Sequence, residues 1–264
     1  MNLKVTRNLF FICSMTLLSS YAYGNGSNLI FTNLLQKHVQ NGLVNYSRLC
    51  SDPKLNEYIN QLSETNPDNI RDRNDLLAFW INAYNAFTLK VICDNYPLKS
   101  INDLHFGGLV IGTVLKKTVW DKNFIEIDKK KYSLNKIEHE IIRKKFNDPR
   151  AHFALVCASL GCPSLLNEAF VGDKLDEQLE QQGNRFLQDS TKNVFDIEKK
   201  IARISKIFDW FKNDFGNNKK ERLLYLSRFL PEEIAIEIRL NPEQWKVKHT
   251  KYNWNLNEIK EATN

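Results

Sequence analysis

Apolar side chains recur at helical spacing along most of the chain. The longest such segment spans about 73–93, where Leu77, Trp80 and Tyr84 fall at positions i, i+3 and i+7 of one helix face. The residue before Pro97 disfavours a helical backbone, so we expect this helix to end by 94–97. The same spacing predicts further helices over 28–39, around 55–62, over 134–146, after Asp173, and over 208–215, 221–229 and 232–240.

Fewer segments have the pattern of a β-strand. Residues 115–133 predict two strands with a turn at 121–123, and residues 193–204 alternate as a strand or hairpin. The apolar segment 152–158 predicts a short strand that ends before Gly161. Because helices and strands do not follow one another as regular βαβ units, the pattern favours an α+β fold over a doubly wound parallel sheet.

The composition is that of a soluble globular protein. The 264 residues are 42% apolar, 26% charged and 11% aromatic, which excludes a mainly disordered chain. The formal net charge is only +6 and the Lys and Arg runs are short and scattered, so nucleic-acid binding is not expected. We predict a single helix-rich domain over 25–264, packed on a small, mainly antiparallel sheet, with no stable membrane span.

The first 24 residues have the pattern of a secretory signal. Lys4 and Arg7 form a positively charged start, and an apolar run over 9–18 follows that is too short to span a bilayer. Small residues up to Gly24 provide a cleavage site. We therefore expect residues 1–24 to be a signal peptide and the exported chain, periplasmic or secreted, to begin near Asn25.

The densest group of reactive side chains lies within 133–165. Glu138 borders the apolar face of a predicted helix, where an unpaired carboxylate is costly. It is either an acid that orients a histidine or acts as a base, or a structural partner for a nearby arginine. His139 follows it on the helix and His152 opens the predicted strand, and the sequence does not choose which of them would act as a base.

Cys157 and Cys162 complete this group. Small residues follow Cys157, which leaves room for a substrate to approach the sulfur, and a neighbouring histidine would be needed to activate it. Alternatively, Cys157 is a buried structural thiol or forms a disulfide with Cys162 across the turn. Backbone N–H groups from Ser159 to Gly161 could bind the oxyanion of an acyl-transfer reaction.

A second polar pair lies on the 73–93 helix. Asn82 and Asn85 are three residues apart and therefore share a helix face beside the aromatic stripe. Buried carboxamides require hydrogen-bond partners, so the pair either supports a substrate site or bonds to neighbouring loops.

Several short motifs give the chain a resemblance to the DUF547 family, a domain named for its unknown function. They are His38-Val39, GLVNY at 42–46, FWINAYNA at 79–86, YP at 96–97, LN and IEH within 134–139, DPR at 148–150, HFAL at 152–155, CAS at 157–159, GCP at 161–163, and Trp254 with Leu256 and Asn257.

This resemblance implies an exported bacterial protein with a distant relation to the papain- and transglutaminase-like thiol folds. Those folds place the nucleophile at the start of a helix beside a tryptophan. Here the helix of Trp80 offers Asn82 instead of cysteine, so a thiol enzyme would have to use Cys157 in a changed layout.

Three hypotheses follow for the function. The first is a thiol-dependent hydrolase or transferase on peptide-like or amide substrates, in which Cys157 attacks a carbonyl, a histidine takes the proton and Glu138 orients that histidine. The second is a non-catalytic envelope protein that binds a small molecule or peptide, which a Cys157–Cys162 disulfide would favour because an oxidised thiol cannot attack. The third is a zinc site of one histidine with both cysteines, but the usual close ligand spacings are missing, so neither a metal nor another cofactor is expected.

Overall fold

The computed structural model describes residues 28–105 and 118–260, and the predicted signal peptide lies outside these ranges. Helices are the main elements of the described chain. They are α1 (28–38), α2 (Tyr46–Leu49), α3 (Pro53–Glu64), α4 (Arg73–Cys93), α5 (Lys136–Phe146), α6 (Leu175–Leu187), α7 (Ile207–Trp210), α8 (Lys219–Ser227) and α9 (Glu232–Leu240). The hydrogen bonding of α5 is that of a π-helix.

Helix α4 is the centre of the fold. Its first turn is capped by Asp72, whose carboxylate accepts hydrogen bonds from the backbone N–H groups of Asn74 and Asp75. The helix is long and apolar enough to cross a bilayer, but 83% of its most apolar window is buried inside the protein. We therefore describe α4 as a core helix, and it is the one helix of the described ranges that meets this length and hydropathy requirement.

The strands are short and form three small sheets. β1 (Val39–Gln40) pairs antiparallel with β2 (Leu43–Val44), and β3 (Ile125–Ile127) pairs antiparallel with β4 (Lys130–Tyr132). In the third sheet β6 (Ile201–Ile204) lies between antiparallel β5 (Val194–Asp196) and parallel β7 (Lys246–His249). Helices with small antiparallel and mixed sheets confirm the α+β class.

Two groups of buried side chains form the core. The larger group surrounds α4 and includes residues of α1, α3 and α5. The second group is formed by α6 to α9 with the third sheet, and Phe153 lies in it with four other phenylalanine rings around its own. Tyr252 packs against both groups, so the residues near Phe153 and Tyr252 lie where the two groups meet.

Two predictions from the strand pattern are wrong. The segment 152–158 is not a strand: Pro149–Phe153 forms a 3-10 helix and the residues after it are irregular. Pro149 favours the first turn of a helix, and Asp148 caps this turn by accepting from the N–H of Arg150. The expected hairpin near 121–123 is displaced, because its turn is made by Asp128 and Lys129, both with positive φ, while Val119–Asp121 forms a 3-10 turn.

Candidate functional site

Asn85 fixes the segment that leads to Cys157. Its carboxamide oxygen accepts from the N–H of Val156 at 3.0 Å, and its nitrogen donates to the carbonyl of Ala154 at 2.9 Å. The side chain is 3% exposed, so these bonds lie inside the core. Asn82 fixes the loop that contains Phe170, because its carboxamide accepts from the N–H of Phe170 and donates to its carbonyl. Both carboxamides therefore bond to neighbouring loops, which is one of the two alternatives that the sequence left open.

The C-terminal segment 253–257 closes the loop that follows Cys157. The N–H groups of Leu160 and Gly161 donate to the carbonyls of Asn255 and Asn253, each at 2.8 Å. Two of the three N–H groups expected to bind an oxyanion, those of Leu160 and Gly161, therefore already have acceptors in the C-terminal segment. Gly161 has a steric role instead: a Cβ at this position would lie 2.9 Å from the ring of Tyr252.

Cys157 and Cys162 form a disulfide, and Cys50 and Cys93 form a second one between the end of α2 and the end of α4. The hydroxyl of Tyr252 lies 3.3 Å from the sulfur of Cys157 and 3.1 Å from that of Cys162. The hydroxyl of Ser159 lies 3.3 Å and 3.4 Å from the same two sulfurs. Cys157 is therefore not a free thiol in this state, and Ser159 contacts the disulfide.

Glu138 lies near two tyrosines, Tyr84 and Tyr252, and Tyr252 contacts the disulfide. Glu138 is half-buried and hydrogen-bonds to the hydroxyl of Tyr84. Burial, together with the charge of Glu138, raises the pKa of Tyr84 well above its usual value. The pKa of Tyr252 is also raised, mainly by burial and to a smaller extent by the charge of Glu138. The hydrogen-bond partner of the carboxylate is thus a tyrosine, whereas the sequence predicted an arginine or a histidine.

The two histidines belong to a separate charge network. His152 Nε2 lies 2.6 Å from Asp214 Oδ2, and Arg143 makes two bonds of 2.6 and 2.8 Å to the same carboxylate. His139 Nδ1 lies 3.2 Å from the guanidinium of Arg143. Burial of Asp214 is unfavourable for its charge, but the bonds from His152 and Arg143 outweigh that effect and hold its pKa well below the usual value.

No hydrogen bond or ion pair among the residues of 28–105 and 118–260 joins either histidine to Cys157. The sequence placed His139, His152 and Cys157 close together along the chain. The 3-10 helix turns His152 toward Asp214 and the ring of Phe211, with the ring centroids of His152 and Phe211 4.2 Å apart. The geometry needed for an activated thiol is therefore not formed in this state.

A set of aromatic rings lies beside the disulfide, and we call it the aromatic surface. It comprises Trp120, Trp210, Tyr252 and Trp254. Trp254 contacts each of the other three rings and Trp210 also contacts Tyr252, with ring centroids 4.5 to 5.8 Å apart in these four pairs. Trp210 is 45% exposed and the other three rings are half-buried. The sequence pattern did not predict this set. Tyr252 and Trp254 are two residues apart, a spacing that places both on one side of an extended segment.

Within the described part of the chain, no group of three His, Cys, Asp or Glu side chains is arranged to hold a metal ion. The hypothesis of a zinc site also needs Cys157 and Cys162 as free thiolates, and in this structure the two are joined in a disulfide.

Comparison with known proteins gives one match. The profile of a family described as "Protein of unknown function, DUF547" matches residues 67–187. This range contains α4, α5, the Cys157–Cys162 loop and α6, whereas three rings of the aromatic surface lie outside it. No curated protein and no solved structure matches the chain.

Proposed function

Residues 67–187 belong to the DUF547 family, and from that premise we propose that the protein is an exported, non-catalytic binding protein. Its aromatic surface takes up a peptide-like ligand. The observation that carries the proposal is the ring stack beside a closed disulfide, in which Trp210 is 45% exposed and Tyr252 and Trp254 are half-buried. Large aromatic rings with one exposed face are typical anchors of a binding site.

The chemistry of the neighbouring groups supports binding over catalysis. Cys157 cannot attack a carbonyl while its sulfur is bonded to Cys162. Both histidines are engaged in the Asp214–Arg143 network, and the loop N–H groups are bonded to the C-terminal segment. The polar residues of the site therefore hold the aromatic surface and its loop in place.

We expect Trp210→Ala to weaken ligand binding about tenfold, because truncating an exposed aromatic anchor removes stacking worth on the order of 1–2 kcal/mol. The measurement is a titration of the purified protein with a panel of short peptides that differ in aromatic and proline content, followed by intrinsic tryptophan fluorescence and calorimetry. Leu240→Ala is the control, since Leu240 is 71% exposed at the end of α9. Equal affinities for wild type and Trp210→Ala would contradict the proposal.

A second candidate is the thiol-dependent hydrolase or transferase, acting after the disulfide is reduced. The observation that favours it is the half-buried sulfur of Cys157, which lies within 3.3 Å of two hydroxyl groups. Hydroxyl donors stabilise a thiolate and lower the pKa of the thiol.

This candidate predicts that reduced Cys157 reacts with iodoacetamide at mildly acidic pH. A thiol activated by a histidine has a pKa below about 8.5 and alkylates quickly under these conditions. The rate is followed by peptide mass in wild type, His139→Ala and His152→Ala, and the true base is the histidine whose loss slows the reaction about tenfold. A thiol that reacts slowly in all three proteins rules out the enzyme and leaves the binding protein.

A further inference from the structure

We propose that the Cys157–Cys162 pair is a thiol–disulfide exchange site that accepts two electrons from a dithiol. Cys157 is the sulfur that is attacked and Cys162 is the sulfur that leaves. The exchange reaction does not require a ligand at the aromatic surface, although Tyr252 belongs to both sites. The second disulfide, Cys50–Cys93, is structural.

The two sulfurs differ in access. Cys162 is 3% exposed, whereas Cys157 is half-buried at the edge of the cluster. An incoming thiolate must approach a disulfide sulfur directly, so access decides which of the two is attacked. The structure therefore directs attack to Cys157.

The leaving sulfur has its own hydrogen-bond donors. The backbone N–H of Cys157 donates to the sulfur of Cys162 at 3.0 Å, and the hydroxyl of Tyr252 lies 3.1 Å from it. Ser159 donates to the oxygen of Tyr252 at 3.1 Å, which leaves the proton of Tyr252 free to turn toward the sulfur. Donors to the charged form stabilise the thiolate of Cys162, and a better-stabilised thiolate leaves faster.

The loop keeps both sulfurs together after the bond opens. Asn85 holds the chain before Cys157, and the C-terminal segment holds Leu160 and Gly161. Between the cysteines, Ala158 has a φ of +58°, a strained conformation for a residue with a Cβ that persists only where its surroundings fix it. A fixed loop favours fast re-formation of the disulfide, as a reversible exchange site requires.

The reaction balances as follows. One thiolate of the dithiol attacks the sulfur of Cys157, the Cys157–Cys162 bond breaks, and Cys162 leaves as a thiolate. The second thiol of the dithiol loses its proton to the solvent and attacks the dithiol's first sulfur, which is bonded to Cys157. The bond to Cys157 breaks and Cys157 leaves as a thiolate. The protein disulfide gains two electrons, and the dithiol becomes a disulfide.

The second disulfide offers an internal control. The hydroxyl groups of Ser159 and Tyr252 lie against the sulfurs of Cys157 and Cys162, not against Cys50–Cys93. The Cys50–Cys93 disulfide joins positions 43 residues apart, at the end of α2 and the end of α4, so its role is to link the two elements.

The test uses the full chain in buffers with graded ratios of reduced to oxidised dithiothreitol, followed by trapping with N-ethylmaleimide and peptide mass analysis. We expect Cys157–Cys162 to open at a ratio at least about tenfold lower than Cys50–Cys93. Tyr252→Phe should move that ratio upward and leave the opening of Cys50–Cys93 unchanged. Opening of both disulfides at one ratio would overturn the proposal.

Single-cysteine variants test the direction of attack. Cys162→Ser should capture one glutathione from oxidised glutathione at Cys157 as a stable mixed disulfide, since no resolving thiol remains. Cys157→Ser should react at least about tenfold more slowly, because the sulfur of Cys162 is buried. Equal capture by the two variants, each with Cys50–Cys93 intact and an unchanged circular dichroism spectrum, would contradict the assignment of Cys157. The wild-type opening ratios remain decisive if a variant fails to fold.

Discussion

Replacing Phe153 with alanine is expected to lower the free energy of unfolding by about 3–5 kcal/mol, the usual cost of removing a buried phenylalanine. The side chain is fully buried, and its ring contacts those of Phe186, Phe208, Phe215 and Phe229. Because Phe153 is only four residues before Cys157, its loss also removes the packing that anchors the 3-10 helix before the disulfide loop.

Urea unfolding followed by circular dichroism measures this loss. Leu240→Ala is the matched control, because Leu240 is 71% exposed and its truncation should change the free energy of unfolding by no more than about 0.5 kcal/mol. A Phe153→Ala protein as stable as the control would show that the second group of core residues does not depend on this ring.

Asp214→Asn is expected to lower the free energy of unfolding at pH 7 by about 2 kcal/mol. The carboxylate binds both His152 and Arg143, and removing its charge leaves Arg143 without a counter-charge and weakens the bond to His152. The side chain of Asp214 is 23% exposed, so we place the effect below the range for a fully buried pair.

The same network predicts that the free energy of unfolding depends on pH. The pKa of Asp214 is held below its usual value in the folded protein, so its contribution is complete above the unfolded pKa of about 3.9. That contribution is lost as the pH falls below this value. Wild type should therefore lose stability faster than Asp214→Asn on acidification below about pH 4.

Urea unfolding at several pH values between about 2 and 7 measures this difference. Glu57→Gln is the control, since Glu57 pairs only at the surface with Lys54. Parallel stability curves for wild type and Asp214→Asn would contradict the role of the network.

Regular helices could be predicted from the sequence because their signals are local. The helix predicted over about 73–93 has an unbroken apolar pattern, and its bounds in the structure are Arg73–Cys93. The helix predicted over 232–240 was also correct, as Glu232–Leu240. These elements need no information about the rest of the chain.

The segment 152–158 was predicted wrongly because tertiary contacts outweigh its apolar pattern. Asn85 takes the backbone hydrogen bonds that a strand would give to a neighbour, and Phe153 packs into the aromatic core. A short apolar run does not by itself distinguish a strand from an irregular buried segment.

The site was only partly predictable for a similar reason. The sequence grouped Glu138, two histidines and two cysteines from their spacing. In the structure Glu138 and the cysteines lie around Tyr252, whereas His139 and His152 lie in the network of Arg143 and Asp214. Tyr252 itself is about ninety residues from the cysteines, and its role depends on the C-terminal segment folding back onto the loop. No local pattern contains a contact over such a distance.

Disulfide mapping of the purified protein under non-reducing conditions tests the central claim most directly. Digestion and mass analysis should recover one peptide pair joined through Cys157 and Cys162 and another joined through Cys50 and Cys93. This result would support a closed disulfide beside a binding surface. Recovery of Cys157 as a free thiol in the untreated protein would contradict it.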